Sequence, residues 1–187
     1  MRKLIESTFV SLDGVIDDTS PSTFKRAEPQ IWGAPYWDEE HGNYGQKLTY
    51  ASDAMLLGRA TYDGFKQAWP GRTGEFADFF NAMPKYVASR TLSGPLEWNA
   101  TAINGDIAKD VASLKEQPGK GIIKYGTGEL DQPLLAHRLV DEYHFWVFPV
   151  VIGGGKRLLD GLDTTHLQLI DSTRFASGIT VLVLAPK

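Results

Sequence analysis

The sequence predicts an α/β fold with a mostly parallel central sheet and an antiparallel edge at the C-terminus. Three observations carry this expectation. Residues 54–57 (Ala-Met-Leu-Leu) form a short apolar run without polar interruption, as in a strand buried on both faces. Strand-like and helix-like segments alternate through the middle of the chain, which is the order that parallel crossovers require. The last stretch, residues 166–186, reads as two strands turning near Ser177-Gly178.

Taken in order, residues 4–10 are β-rich and are closed by Asp13-Gly14, a strand and then a turn. Residues 17–35, rich in Pro, Ser, Thr and Gly, read as an exposed loop, and weak helical character follows over 36–50. Helices are predicted over 61–69 and 75–83, the second with Phe76, Phe79, Phe80 and Met83 on one stripe and Pro84 at its end. Residues 85–89 return to strand. A helix over 104–115 turns Ile107, Val111 and Leu114 inward and stops at Pro118-Gly119, before a buried strand at 121–125. Residues 130–140 are predicted helical and 142–151 a strand. No repeat, low-complexity run or linker divides residues 1–187, so a single domain is expected.

Composition excludes several classes. With 42% hydrophobic and 22% charged residues the chain is neither disordered nor fibrous. A net charge of -4 without a basic run argues against nucleic-acid binding. The absence of cysteine removes disulfides, thiolate nucleophiles and cysteine-ligated zinc, and points to a reducing, cytoplasmic setting. The opening residues lack a signal-peptide pattern, and no apolar run approaches the roughly 20 residues that span a bilayer, so no membrane partner is expected. The four histidines fall in no metal-ligand spacing, no metal is expected, and neither G-x-S-x-G nor a P-loop is present.

In a sheet of this kind, ligands bind beyond the carboxyl ends of the strands. Three corners there share one chemistry. In the first, Gly58 permits a tight turn, Arg59 offers a guanidinium to a phosphate and Thr61 could cap the next helix. The second is Ser89-Arg90-Thr91, again a guanidinium among hydroxyls. The third is Gly126-Thr127-Gly128, whose glycines would let a pyrophosphate approach main-chain N–H groups. It departs from the dinucleotide fingerprint, with Asp131 where the last glycine belongs. Each corner singly reads as well as a glycine turn with a surface arginine; three in succession favour a ligand.

The motifs VSLDGVI, LLGRATYDGF, YVASRTL, IIKYGTGEL and LVDEYHFWVFPVVIGGGKRLL, with the closing hairpin, resemble the dihydrofolate reductase-like superfamily over essentially the whole chain. The resemblance is closer to the branch holding the C-terminal reductase domain of the bifunctional riboflavin-biosynthesis deaminase-reductase. It implies a three-layer fold, NADPH as cofactor, a small-molecule substrate and a homodimer. It also implies that Gly58, Arg59 and Thr61 form a cofactor-phosphate turn, that Ser89 and Arg90 grip the 2′-phosphate, and that Gly126, Thr127, Gly128 and Glu129 form the pyrophosphate turn. Arginine there suits NADPH better than NADH, whose free ribose hydroxyl rewards a carboxylate.

On the substrate side, Trp32, Tyr36 and Trp37 could stack on a heterocycle, and Asp38 could contact it or simply begin a helix with Glu39. Asp13 is the candidate catalytic or proton-relay acid, although Asp-Gly is also an ordinary turn. The riboflavin-pathway reductases commonly read S-L-D-G-K, and Val15 takes the lysine's place here, which weakens the case for a phosphorylated substrate. Residues 153–157 read either as a flap over the site or as a flexible basic hairpin, and Tyr143, Phe145, Trp146 and Phe148 as core or dimer contact. The leading expectation is an NADPH-dependent reductase of a pterin- or pyrimidine-like heterocycle; the alternative is a nucleotide-binding module of the same fold without turnover.

Overall fold

The computed structural model describes residues 1–16 and 32–187, so most of the loop expected over 17–35 lies outside the described residues. The described strands are β1 (Leu4–Ser11), β2 (Ser52–Gly58), β3 (Lys85–Ala88), β4 (Pro95–Leu96), β5 (Ala100–Ile103), β6 (Gly121–Tyr125), β7 (Glu142–Phe148), β8 (Leu167–Arg174) and β9 (Thr180–Pro186). They form one sheet in the order β4-β5-β3-β2-β6-β1-β7-β9-β8. Neighbours from β5 to β7 run parallel, whereas β4, β9 and β8 pair antiparallel. The helices are α1 (Glu39–Tyr50), α2 (Arg59–Ala68), α3 (Glu75–Ala82), α4 (Ile107–Glu116) and α5 (Asp131–Ala136).

The run from Ala54 to Leu57 is buried throughout because successive side chains enter different layers. Ala54 and Leu56 join Leu4, Val10 and Ile122 against Val111 and Leu114 of α4 and Leu134 of α5. Met55 and Leu57 join Ile123 on the other face, against Tyr62 of α2 and Phe80 of α3. A third cluster wraps Trp146 and Phe148 of β7 with Phe175, Ile179 and Val181, and Tyr44 of α1 packs on it. The sheet is thus covered on both faces, and its strand ends are left to meet ligands.

Several boundaries differ from the sequence expectation. Helix α4 starts at Ile107 because Asp106 caps it, its side chain accepting from the Lys109 N–H. Helix α5 ends at Ala136, since Arg138 adopts a left-handed φ of 51° that no continuing helix allows. Strand β7 ends at Phe148, before Pro149, which has no N–H for a ladder. Strands β4 and β5 were not expected; at two and four residues they are too short to show alternation. The hairpin turn is where it was expected, with Gly178 at φ 92° donating to the Phe175 carbonyl.

Candidate functional site

A cleft of about 640 Å³ opens beyond the carboxyl ends of β2, β3 and β6. Gly58, Arg59 and Thr61 line it from the start of α2, Ser89 and Arg90 from the turn after β3, and Gly126, Thr127, Gly128 and Glu129 from the turn after β6. All the residues expected at a cofactor therefore share one cavity, of a size that ordinary ligand sites have.

The three corners also touch one another. Arg59 Nη1 donates to Thr91 Oγ1 at 3.4 Å, joining the first corner to the second. Arg90 lies 3.1 Å from Glu129, joining the second to the third. Gly126 closes the triangle: its φ is 73°, and a Cβ placed there would sit 2.8 Å from Thr61 Oγ1. Only glycine meets both the left-handed backbone and that approach.

Individual roles differ from those expected. Thr61 is not a cap; α2 begins at Arg59 with Gly58 before it, and the Thr61 hydroxyl faces Gly126 instead. Gly58 has an ordinary φ of -74°, so no tight turn demands glycine there. The Ser89 hydroxyl is engaged by its own turn, accepting from the N–H groups of Thr91 and Leu92 at 3.2 Å each. Two N–H groups of the glycine turn are engaged too: Gly126 donates to the Ser7 carbonyl at 3.2 Å and Gly128 to Asp131 Oδ2 at 2.6 Å. Thr127 and Glu129 carry the N–H groups of this turn that have no acceptor among the described residues. Each guanidinium is partnered as well, Arg59 by Asp63 at 2.6 Å and Arg90 by Glu129, both pairs solvent-exposed. Exposed pairs of this kind contribute little and exchange readily for a better anion.

Beneath the glycine turn lies a buried charge cluster that the sequence reading did not single out. Lys124 Nζ sits 3.1 Å from Glu6 Oε2 and 2.5 Å from Asp131 Oδ1, and all three side chains are at most 4% exposed. The same ammonium donates to the Gly126 carbonyl at 2.6 Å. Burial pushes the Glu6 carboxyl up to about 8 against the pull of Lys124, with the Asp131 charge adding to the rise. Neither Glu6 oxygen is aligned for a hydrogen bond among the described residues, although Lys124 lies 3.1 Å from one of them. Burial opposes the charge on Lys124, but Glu6 and Asp131 outweigh it and hold the ammonium above its ordinary range.

Asp13 follows β1 on the same edge of the sheet, but it does not line the cleft. Its carboxylate accepts from Ser11 Oγ at 2.6 Å, Ile152 N–H at 3.1 Å and Gly153 N–H at 2.8 Å. The Ser11 hydroxyl, then these two amides, hold it down at about 2. At neutral pH it is an anion, far from the range of a proton donor. Its carbonyl accepts from Arg157, and Ile16 N–H donates to the Lys156 carbonyl at 2.9 Å. The basic segment is therefore fastened to the turn after β1, and Lys156 lines the cleft. Val15 is fully buried and bridges to Arg157, so its side chain belongs to this fastening.

The aromatic candidates gather elsewhere on the edge, beyond β1 and β7. Trp32 and Tyr36 meet Phe148 edge to face at 5.2 and 6.0 Å, and the Tyr36 hydroxyl donates to the Pro149 carbonyl. Trp37, half exposed, stacks on His41 at 6.2 Å. Asp38 caps α1, accepting from the His41 N–H at 2.7 Å. None of the four lines the cleft.

A signal for the missed cluster was present in the sequence: Glu6 and Lys124 are the one charged residue in each of two short β-rich segments, and strands buried on both faces do not carry unpaired charges. Asp131, noted only as a departure from a glycine fingerprint, is the group that receives the Gly128 N–H.

Among curated relatives, the uncharacterized protein YyaP of Bacillus subtilis (strain 168) is 33% identical over 137 residues, covering 70% of this chain and 72% of that protein. Among solved structures, one from Shewanella sp. PV-4, provisionally named a riboflavin biosynthesis protein, matches with a TM-score of 0.69 at 20% identity, covering 99% of each chain. A diaminohydroxyphosphoribosylaminopyrimidine deaminase/5-amino-6-(5-phosphoribosylamino)uracil reductase from Thermotoga maritima matches with a TM-score of 0.67 at 13% identity, covering all of this chain and 57% of that one. These two share the fold. The RibD C-terminal domain matches residues 2–181, and the chain belongs to the RibD C-terminal domain family.

Proposed function

We propose that the protein is an NADPH-dependent reductase of a small pterin- or pyrimidine-like heterocycle. The observation that carries the reading is the convergence of the turns at Gly58, Ser89 and Gly126 on one cleft bearing Arg59 and Arg90. Family membership supports the reductase class.

The donor set fits the cofactor. Arg90, with Thr91 beside it, would take the 2′-phosphate, releasing Glu129 as it does so. Arg59 and the N–H groups of Thr127 and Glu129 would face the pyrophosphate. Bound there, NADPH supplies the hydride. Asp63 and Glu129 count against an anion, but both sit in exposed pairs that can turn outward. Asp13, ionised and committed to Ile152 and Gly153, acts in this reading by holding the Lys156 segment at the cleft.

Titration with NADPH, read by quenching of the five tryptophans, tests the cofactor. Loss of nicotinamide absorbance with a panel of pterins and pyrimidines tests turnover. Binding without turnover across that panel favours a second reading, a nucleotide-binding module. The lowered pKa of Asp13 and the apolar Val15 speak for it, because they leave residues 13–15 without a neutral acid or a cation of their own. The family resemblance extends the proposal to a homodimer, which light scattering measures.

A further inference from the structure

We infer that Lys124 and Asp131 are positioning residues that set the Gly126–Gly128 turn to receive an anion, and that the charge on Glu6 behind them modulates anion binding. The inference rests on the proposed function only in taking the anion to be the phosphates of NADPH.

The geometry links the cluster to the turn at two points. Lys124 donates to the Gly126 carbonyl at 2.6 Å, and Asp131 Oδ2 receives the Gly128 N–H at 2.6 Å. Lys124 and Asp131 are themselves in contact at 2.5 Å, so one buried ion pair grips the turn at both of its glycines. The residue between them, Thr127, carries an N–H with no acceptor among the described residues. With the carbonyl of Gly126 and the N–H of Gly128 held, the Thr127 and Glu129 amides, in residues that line the cleft, are the donors of this turn left open to an anion.

Glu6 decides the charge of this floor. The titratable groups facing it are Lys124 from the neighbouring β6, Asp131 from α5 and Tyr143 from β7. Burial, then the two carboxylates, keep the Tyr143 hydroxyl neutral, so it does not change the count. With Glu6 protonated, Lys124 and Asp131 sum to zero. Ionised, Glu6 adds one uncompensated negative charge directly behind the turn and competes with Gly126 for the ammonium. A single charge about 10 Å from a phosphate, at an effective dielectric near 20, corresponds to about tenfold in affinity. Among the described residues the cleft is lined by no histidine, so no other side chain of ordinary acidity titrates between pH 7 and 9 there.

The test is titration with NADPH, and separately with inorganic sulfate, a dianion throughout the range, at intervals from pH 7 to pH 9. The expected result is an affinity that falls about fivefold over that range, toward the tenfold limit of full ionisation. In Glu6→Gln the fall disappears. In Asp131→Asn, Glu6 becomes the sole counter-ion of Lys124 and ionises at neutral pH, so the profile is again flat. Circular dichroism confirms that each variant folds, and Glu6→Gln alone suffices if Asp131→Asn does not. A flat profile in the unaltered protein, or an unchanged fall in Glu6→Gln, overturns the inference. Sulfate binding with the pH dependence but no NADPH binding keeps the positioning role and overturns the cofactor reading. If neither probe binds at pH 7, both fall.

Discussion

Beyond β2, β3 and β6 the chain presents turns, hydroxyls and guanidiniums to a cleft, whereas beyond β1 and β7 it presents aromatic rings packed on Phe148 and Trp146. The first region keeps polar groups at the surface and in reach of one another; the second spends its side chains on mutual contact. The comparison teaches that residue type alone did not separate binding from packing. Arg59 and Trp37 were equally plausible as ligand contacts, but one ends in a cleft and the other on His41.

The difference can be broken most severely at the floor of the cleft. Lys124→Met leaves Asp131 buried without its counter-ion and is expected to cost about 3–5 kcal/mol, measured by urea unfolding. The pH dependence of stability comes next. Because the folded Glu6 carboxyl is raised from 4.5 to about 8, its contribution is fully present below pH 4.5 and is lost as pH rises to about 8. The expected slope in that window is about 1.4 kcal/mol per pH unit. Subtracting the Glu6→Gln profile isolates it, and parallel profiles for the two proteins would contradict it.

Gly126→Ala is expected to cost about 1–3 kcal/mol from its left-handed backbone alone, and to weaken NADPH as Thr61 is pushed aside. Arg90→Ala is expected to weaken NADPH about tenfold and NADH hardly at all, since only the former carries the third phosphate; equal losses in calorimetric titrations would remove its assigned role. The smallest effect belongs to the aromatic region. Asp38→Ala should cost about 1 kcal/mol through the lost α1 cap, without change in NADPH affinity. A clear loss of affinity in that variant would place Asp38 with the ligand after all.

How much of this was legible follows from what each feature depends on. The buried strands announced themselves because residues 54–57 and 121–125 are apolar on every position but one, a local property. The three corners were legible because they follow those strands directly. The Glu6–Lys124–Asp131 cluster was not, since it exists only through the register that sets Glu6 beside Lys124 and through the placement of α5 above them. Asp13 shows the same limit: the residue was visible as an acid at a strand end, but its partners at Ile152 and Gly153 are some 140 residues away. Short β4 and β5 escaped because two to four residues carry no period.

The contacts Arg59–Thr91, Arg90–Glu129 and Thr61–Gly126 come from three separate crossovers. Each joins turns that follow different strands of the sheet, so the cavity is a property of the finished sheet. A molecule that bridges the three turns would bind the native state and not the unfolded chain, and by mass action would raise the melting temperature in proportion to the logarithm of its concentration. A thermal-shift screen of nucleotides can therefore search for the physiological ligand before any reaction is known.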